Sequence, residues 1–258
     1  MKINLLTVCT DKYQMIYADK LIKQFCKLSK LDVTPYCLTD RPTQLPDFIT
    51  PIKPKIRVLG WWNKVLLFDP EMAAGWNLYL DIDIVILENF DAEIIEAIES
   101  GKEITCVSDA VEWLGNKFSS SLMIFQTGSL ERIYHNFMAI YEDLQNREGG
   151  DQVWIGPQLK NVNYIDEKYP ELKKNFKFQF TKVDGSPALS GFEVTKKDIW
   201  FVPADGVSAP IWICKKFNDS FQVPAQPPQG VKMIDFGGLP KPQQLDMIPY
   251  IKKNWHMV

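Results

Sequence analysis

The residues most able to do chemistry are two aspartates, Asp81 and Asp83, within an otherwise apolar run, Leu78 to Leu87 (LYLDIDIVIL). Because side chains alternate along a strand, we expect both carboxylates on one side and Ile82 on the other. Adjacent carboxylates repel each other, and burying them is costly unless a positive charge lies against them. A hard divalent cation, Mg²⁺ or Mn²⁺, is the neutralising group that this pair predicts.

The same pair allows other roles. Two acids can simply close a strand and cap the turn that follows it. In a haloacid-dehalogenase phosphatase, Asp81 would be the nucleophile and Asp83 the general acid/base. That fold, however, places this strand near its N-terminus and adds a late acidic pair. Here a strand–helix–strand unit comes first and no Asp-Asp pair follows.

Apolar patterning predicts the elements that must position these acids. Continuous apolar runs predict buried strands, and apolar residues at helical spacing predict helices. The predicted strands are Ile3–Cys9, Val33–Leu38, Ile56–Leu59, Leu78–Leu87, Glu103–Val107 and Ser121–Phe125, and the predicted helices are Tyr13–Leu28, Trp62–Phe68, Asn89–Glu99 and Leu130–Leu144. Alternating strands and helices favour a mostly parallel sheet flanked by helices, with the two acids at the carboxyl end of their strand.

Beyond residue 149 the pattern is looser. Short strands are predicted at Phe176–Phe180, Ile199–Val202 and Met233–Phe236, and a helix at Gln243–Trp255 that Pro249 interrupts. Residues 1–258 are therefore interpreted as one α/β domain. Its first half, residues 1–125, is predicted to bind a nucleotide, and its second, residues 126–258, to be an irregular acceptor-side region.

Composition narrows the class of partner. A net charge of −3 and a pI near 5.5 give no reason to expect nucleic-acid binding. No segment approaches the roughly 20 apolar residues that a membrane span needs. Five scattered cysteines without a CxxC pair are typical of a reduced, cytoplasmic protein, and two histidines argue against a His-rich zinc site.

Three sequence blocks, in this order, resemble GT-A glycosyltransferases of the glycogenin and family 8 galactosyltransferase group. They are residues 61–68 (WWNKVLLF), residues 78–83 (LYLDID) and residues 236–242 (FGGLPKP). The resemblance implies a Rossmann-like GT-A fold. It also implies metal-dependent transfer of a hexose from a nucleotide-diphosphate sugar, expected to be a UDP-sugar, to an acceptor hydroxyl with retention. The acceptor could be a glycan, a lipid or a protein.

The resemblance also implies roles for individual positions. Asp81 and Asp83 would bind Mn²⁺ or Mg²⁺, and Asp151 and Gln152 would lie beside the reacting sugar. The donor-binding positions would be Thr7, Thr10, Asp11 and Tyr13 at the base and ribose, Lys64, Ile82 and Gly238 near the donor, Ser120 and Ser121 at the sugar, and Lys241 at the diphosphate. Simpler roles stay open, because Thr10-Asp11 and Asp151 also suit helix starts.

One position departs from the family pattern. The family's closing segment carries a metal-binding histidine where this chain has Gly237. If the segment is extended, Asp235 lies on the same face as Gly237 and could bind the metal in place of the histidine. The lost histidine also fits a protein that binds sugar nucleotides without turning them over.

Overall fold

The computed structural model describes most of the chain. The described residues are 1–10, 13–113, 116–144, 150–176, 181–182, 201–203, 212–216, 219–223, 226–237, 241–245 and 248–256. The chain divides into two compact units. The first comprises residues 1–22, 26–82 and 90–170, and the second comprises residues 23–25, 83–89 and 171–258. No helix in the described ranges is long and apolar enough to cross a membrane.

The first unit is built on a seven-stranded sheet. Its strands are β1 (Lys2–Val8), β2 (Asp32–Leu38), β3 (Thr50–Ile52), β4 (Trp76–Leu80), β6 (Ile104–Trp113), β7 (Asn116–Gln126) and β8 (Val162–Tyr164). Their order is β3-β2-β1-β4-β7-β6-β8. The first four strands run parallel, β7 is antiparallel to β4 and β6, and β8 is parallel to β6.

Four α-helices and a long 3₁₀-helix accompany this sheet. They are α1 (Met15–Leu28, whose residues 23–25 group with the second unit), α2 (Asp91–Glu99), α3 (Glu131–Leu144), α4 (Gly150–Ile155) and the 3₁₀-helix Gly60–Phe68. The 3₁₀-helix is anchored by Trp62, whose ring stacks on Phe137 of α3 with centroids 5.8 Å apart. Because Trp62 is buried, it fixes the position of the neighbouring residues on that helix.

The second unit contains two smaller sheets and the last α-helix. The elements are β5 (Ile84–Ile86), β9 (Lys173–Asn175), β10 (Thr181–Lys182), β11 (Phe201–Pro203), β12 (Trp212–Lys216), β13 (Asp219–Val223), β14 (Met233–Asp235) and α5 (Pro249–Trp255). The three-stranded sheet has the order β5-β14-β9, and the four-stranded sheet has the order β10-β13-β12-β11.

The predicted strand Leu78–Leu87 is wrong as a single element. β4 ends at Leu80, residues 81–83 form a turn, and β5 begins at Ile84 in a different sheet. The alternation argument for Asp81 and Asp83 therefore does not apply, because neither residue is in a strand. The placement at a carboxyl end is confirmed for Asp81, which directly follows β4.

Most other predicted elements of the first unit are confirmed, with bounds shifted by a few residues. Ile56–Leu59 is an exception, because it forms no strand and leads into the 3₁₀-helix. In the second unit, Pro249 begins α5 rather than interrupting a longer helix, since the first helical position needs no N–H donor. Residues 177–180 of the predicted strand Phe176–Phe180 lie outside the described residues. The single domain with halves 1–125 and 126–258 stays a prediction.

Candidate functional site

A buried cluster of charged side chains in the first unit is centred on Lys64. The Lys64 Nζ atom lies 2.7 Å from Asp81 Oδ1 and 3.9 Å from Asp151 Oδ2. It also donates a hydrogen bond of 3.0 Å to the Ser120 hydroxyl. The Lys64 side chain is only 13% exposed, so its interactions with the two carboxylates are weakly screened by solvent.

Four elements bring these side chains together. Asp81 directly follows β4, and its backbone N–H bonds to the Ser121 carbonyl at 2.9 Å. Because β7 runs antiparallel to β4, this contact also places Ser120 beside Asp81. Lys64 comes from the anchored 3₁₀-helix, and Asp151 is the second residue of α4. Residues that are 87 positions apart in the sequence therefore meet at one end of the central strands.

Asp81 is already neutralised in this arrangement. Besides its ion pair with Lys64, its Oδ1 atom accepts a hydrogen bond of 2.5 Å from the Tyr79 hydroxyl. From the sequence, the expected neutralising charge is a divalent metal ion. The structure supplies a lysine, which is distant in sequence and therefore invisible to local patterning.

Asp151 is the least satisfied member of the cluster. Among the described residues, its buried Oδ2 atom has no hydrogen-bond partner. Burial raises the pKa of Asp151, whereas the Lys64 charge and a hydrogen bond from Ser120 act to lower it. A buried carboxylate oxygen with spare acceptor capacity is expensive to maintain, and such atoms call for a ligand or a functional explanation.

The other predicted residues of the first unit have more varied surroundings. Gln152 donates a hydrogen bond of 3.2 Å to Asp109. The Thr7 hydroxyl donates to the Leu80 carbonyl at 3.1 Å, which ties the ends of β1 and β4 together. Ser121 and Ser119 hydroxyls lie 3.0 Å apart on β7. Thr7 and Ser121 therefore have structural contacts within the fold.

A separate cleft of about 400 Å³ lies beside the end of β1. It is lined by Thr10, Asp40, Lys53, Pro54, Lys55, Ile56, Arg57, Val58 and Asn63. Tyr13 lies close by in the chain, and its carbonyl accepts a hydrogen bond of 2.6 Å from Arg41. Asp11 is outside the described residues. Thr10 lines this cleft, its role at the base and ribose stays a prediction, and the basic residues of the cleft were not predicted.

The missed basic residues follow a visible pattern. Lys53, Lys55 and Arg57 alternate in the chain and all line the cleft. Lys55 forms two ion pairs, in which its Nζ atom lies 2.7 Å from Asp69 Oδ2 and 2.5 Å from Glu71 Oε2. Three cations at every second position favour an anion-binding edge, and this spacing is the sequence signal for the basic side of the cleft.

In the second unit, two more predicted acids are also paired with lysines. Asp83 forms an ion pair with Lys241, which donates a further bond of 3.1 Å to the Phe236 carbonyl. Asp235 lies 2.6 Å from Lys173 and accepts a bond of 2.9 Å from the Gly237 N–H. Ile82 is buried at the end of the first unit, and Gly238 is outside the described residues.

The predicted metal ligands have suitable chemistry but are paired with lysines. Carboxylate oxygens are the donors that Mg²⁺ and Mn²⁺ prefer. Asp81, Asp83 and Asp235 each form an ion pair with a lysine. Within the described ranges, no group of three or more His, Cys, Asp or Glu side chains is arranged to hold a metal ion. Metal binding stays a prediction from the sequence.

Comparisons with known proteins identify the fold. No protein-family model and no curated protein matches the sequence. The apo structure of the bifunctional glycosyltransferase WbbM aligns with 98% of this chain and 49% of its own, with a TM-score of 0.61 and 11% identity. An active-site mutant of LgtC aligns over 93% of this chain and 89% of its own, with a TM-score of 0.53 and 13% identity.

A third match is apo GlyE, a glycosyltransferase of Streptococcus pneumoniae TIGR4. It aligns over 69% of this chain and 47% of its own, with a TM-score of 0.49 and 16% identity. This chain thus spans about half of the WbbM and GlyE chains. The WbbM and LgtC matches show that the chain has the GT-A glycosyltransferase fold, and the predicted α/β fold class is confirmed.

Proposed function

We propose that this chain is a glycosyltransferase that transfers a hexose from a UDP-sugar to an acceptor hydroxyl with retention. Because a fold hosts many activities, the site must carry this conclusion. The observation that carries it is the buried cluster of Lys64, Asp81, Ser120 and Asp151 at the carboxyl end of β4. LgtC, which has the same fold, is a galactosyltransferase, and this agrees with a hexose donor.

The cluster offers what sugar transfer requires from a protein. Preorganised charges in a poorly solvated site stabilise charge that develops during reaction more strongly than water does. Asp151 Oδ2 has the acceptor capacity to bind a hydroxyl of the donor hexose. Lys64 pairs with Asp81 and Asp151 and holds the Ser120 hydroxyl by a hydrogen bond. Gln152, the next residue of α4, is proposed to lie beside the same sugar.

The cleft beside β1 suits the nucleotide part of the donor. Its volume of about 400 Å³ falls within the range of small-molecule sites. Asp40 can accept hydrogen bonds from ribose hydroxyls, and Lys53 and Arg57 offer positive charge to phosphate oxygens. Thr10 and Tyr13 are proposed to lie at the base and ribose.

A divalent cation is part of the proposal. Asp81 and Asp83, two positions apart in the sequence, would hold Mn²⁺ or Mg²⁺, with Asp235 as a further candidate ligand. When bound, the ion would neutralise negative charge on the departing diphosphate. Lys241 is the lysine that the sequence resemblance assigns to that diphosphate.

The test is a donor assay with matched variants. We expect release of UDP from at least one of UDP-glucose, UDP-galactose and UDP-N-acetylglucosamine, stimulated by MnCl₂. Asp81→Ala combined with Asp83→Ala should abolish the metal-stimulated rate, whereas Asp47→Ala, at an exposed aspartate, should retain it. Equal turnover by the double variant and the wild type would refute the proposed role of the two acids.

A second candidate is a protein that binds sugar nucleotides without turnover. Gly237 stands where the family has a metal-binding histidine, and both Asp81 and Asp83 are neutralised by lysines. Calorimetry with UDP and MnCl₂ separates the two candidates when it is combined with the donor assay. Tight binding of UDP with no hydrolysis or transfer would favour this second function.

A further inference from the structure

We propose that Trp61 is the platform on which the acceptor binds, and that the acceptor is therefore a glycan or glycoside. This inference rests on the proposed function, because it assigns the second substrate of the same reaction. Trp61 is 59% exposed, whereas its neighbour Trp62 is 3% exposed and anchors the helix in the core. An indole left in solvent beside a buried polar cluster exposes apolar surface that a ligand can cover.

The helix geometry directs Trp61 towards the cluster. Gly60–Phe68 is a 3₁₀-helix, in which side chains three positions apart lie on the same face. Trp61 and Lys64 therefore share a face and are separated by about 6 Å along the helix axis. Trp61 is exposed, and Lys64 is nearly buried against Asp81 and Asp151. This helix face thus leads from solvent to the charged cluster.

A contact with Gly150 fixes the indole next to the start of α4. Gly150 begins α4, and a Cβ atom added to it would lie 2.3 Å from Trp61 Nε1. The indole therefore packs directly on the backbone of the residue that precedes Asp151. Gly150 also has a φ of 60°, a conformation that favours glycine. The Gly150 backbone therefore fixes one side of the indole, and the 3₁₀-helix fixes the backbone of Trp61.

The chemistry of this surface selects a sugar. A pyranose ring has one apolar face of C–H groups, which packs against the negative face of an indole, and a polar rim of hydroxyls. The indole packs on Gly150, the residue before Asp151, and Lys64 on the same helix face pairs with Asp81 and bonds to the Ser120 hydroxyl. An acceptor hydroxyl on a sugar stacked at Trp61 would face the cluster that is proposed to hold the donor hexose.

Saturation-transfer NMR with simple sugars tests the platform directly. The probes are methyl β-D-galactopyranoside, methyl β-D-glucopyranoside and lactose, titrated onto the wild type and three variants. Trp61→Leu keeps apolar bulk over Gly150 but lacks a π face, Trp61→Phe keeps a π face, and Phe48→Leu alters an exposed aromatic elsewhere. We expect at least one sugar to bind through its C–H face. Its affinity should fall about fivefold in Trp61→Leu, much less in Trp61→Phe, and not at all in Phe48→Leu.

Other outcomes separate this inference from the proposed function. Absence of binding by all three sugars, or equal binding by Trp61→Leu, would overturn the platform. A loss of UDP affinity in Trp61→Leu matching its loss of sugar affinity would reassign the indole to the donor and also overturn it. If UDP is released from the donor but sugar binding does not depend on Trp61, the proposed transferase function holds and the platform is refuted. If sugar binding depends on Trp61 but no UDP is released, the platform holds and the proposed transferase function is refuted.

Discussion

Replacing Lys64 by methionine should destabilise the protein strongly. Methionine preserves most of the volume of the lysine stem but removes the charge that neutralises Asp81 and Asp151. Asp81 can turn to the Tyr79 hydroxyl and to solvent. The Asp151 side chain is only 5% exposed, so it would become an uncompensated buried charge. Breaking a buried pair in this way costs about 3–5 kcal/mol of unfolding free energy.

A second substitution isolates the cause of that loss. Asp151→Asn removes the buried charge, so the double variant with Lys64→Met should recover about 2 kcal/mol or more relative to Lys64→Met alone. The recovery reflects the direct coupling between the two side chains, which lie 3.9 Å apart. The unfolding free-energy changes of the two single variants therefore should not add up to that of the double variant.

Urea unfolding at neutral pH measures both effects. The midpoints and slopes of the four variants of the cycle give their unfolding free energies. Lys168→Met is the matched control, because Lys168 is 64% exposed and pairs with Glu96 at the surface, and its removal should leave stability almost unchanged. A loss below about 1 kcal/mol in Lys64→Met, or no recovery in the double variant, would contradict a buried, coupled cluster.

Two further predictions concern the same region. Burial raises the pKa of Asp151, so its ionisation destabilises the folded protein increasingly as pH rises above the usual carboxyl range; the stability gained by Asp151→Asn should therefore grow between about pH 4 and pH 7. Urea midpoints across that range check this, and a constant difference between variant and wild type would contradict it. Gly150→Ala should cost about 2 kcal/mol or more, because the added Cβ meets the Trp61 indole and φ is positive. Gly128→Ala is the control, because Gly128 also has a positive φ but has open space around it, so its loss of unfolding free energy measures backbone strain alone. Equal losses of unfolding free energy at both glycines would show that the indole does not pack on Gly150.

The sequence was most informative where apolar runs are long and bounded. The strand at β1, the helix at α1 and the position of Asp81 at a strand end all follow from apolar patterning. The prediction of one strand over Leu78–Leu87 was wrong, because two short buried strands in different sheets have the same apolar composition as one long buried strand. Only the turn at residues 81–83 separates the two cases. Its aspartates favour turns, but neither Gly nor Pro marks the break in the apolar run.

The candidate site was predicted residue by residue but not as an arrangement. The resemblance gave Lys64, Asp81, Ser120 and Asp151 separate roles, which stay predictions, and the structure brings all four side chains together. The ion pair between Lys64 and Asp151 could not be predicted, because the two residues meet across 87 positions of sequence through packing of the 3₁₀-helix. The exposed state of Trp61 was equally hidden, since its neighbour Trp62 has the same side chain and the opposite environment.

The incompletely bonded carboxylate of Asp151 has a consequence for engineering this protein. A library screened for heat resistance alone would favour variants that remove that carboxyl group, since its burial opposes folding. Such variants would be sturdier and, under the proposed function, inactive. Stabilised forms of this chain are better sought through surface positions, with selection that scores turnover as well as survival.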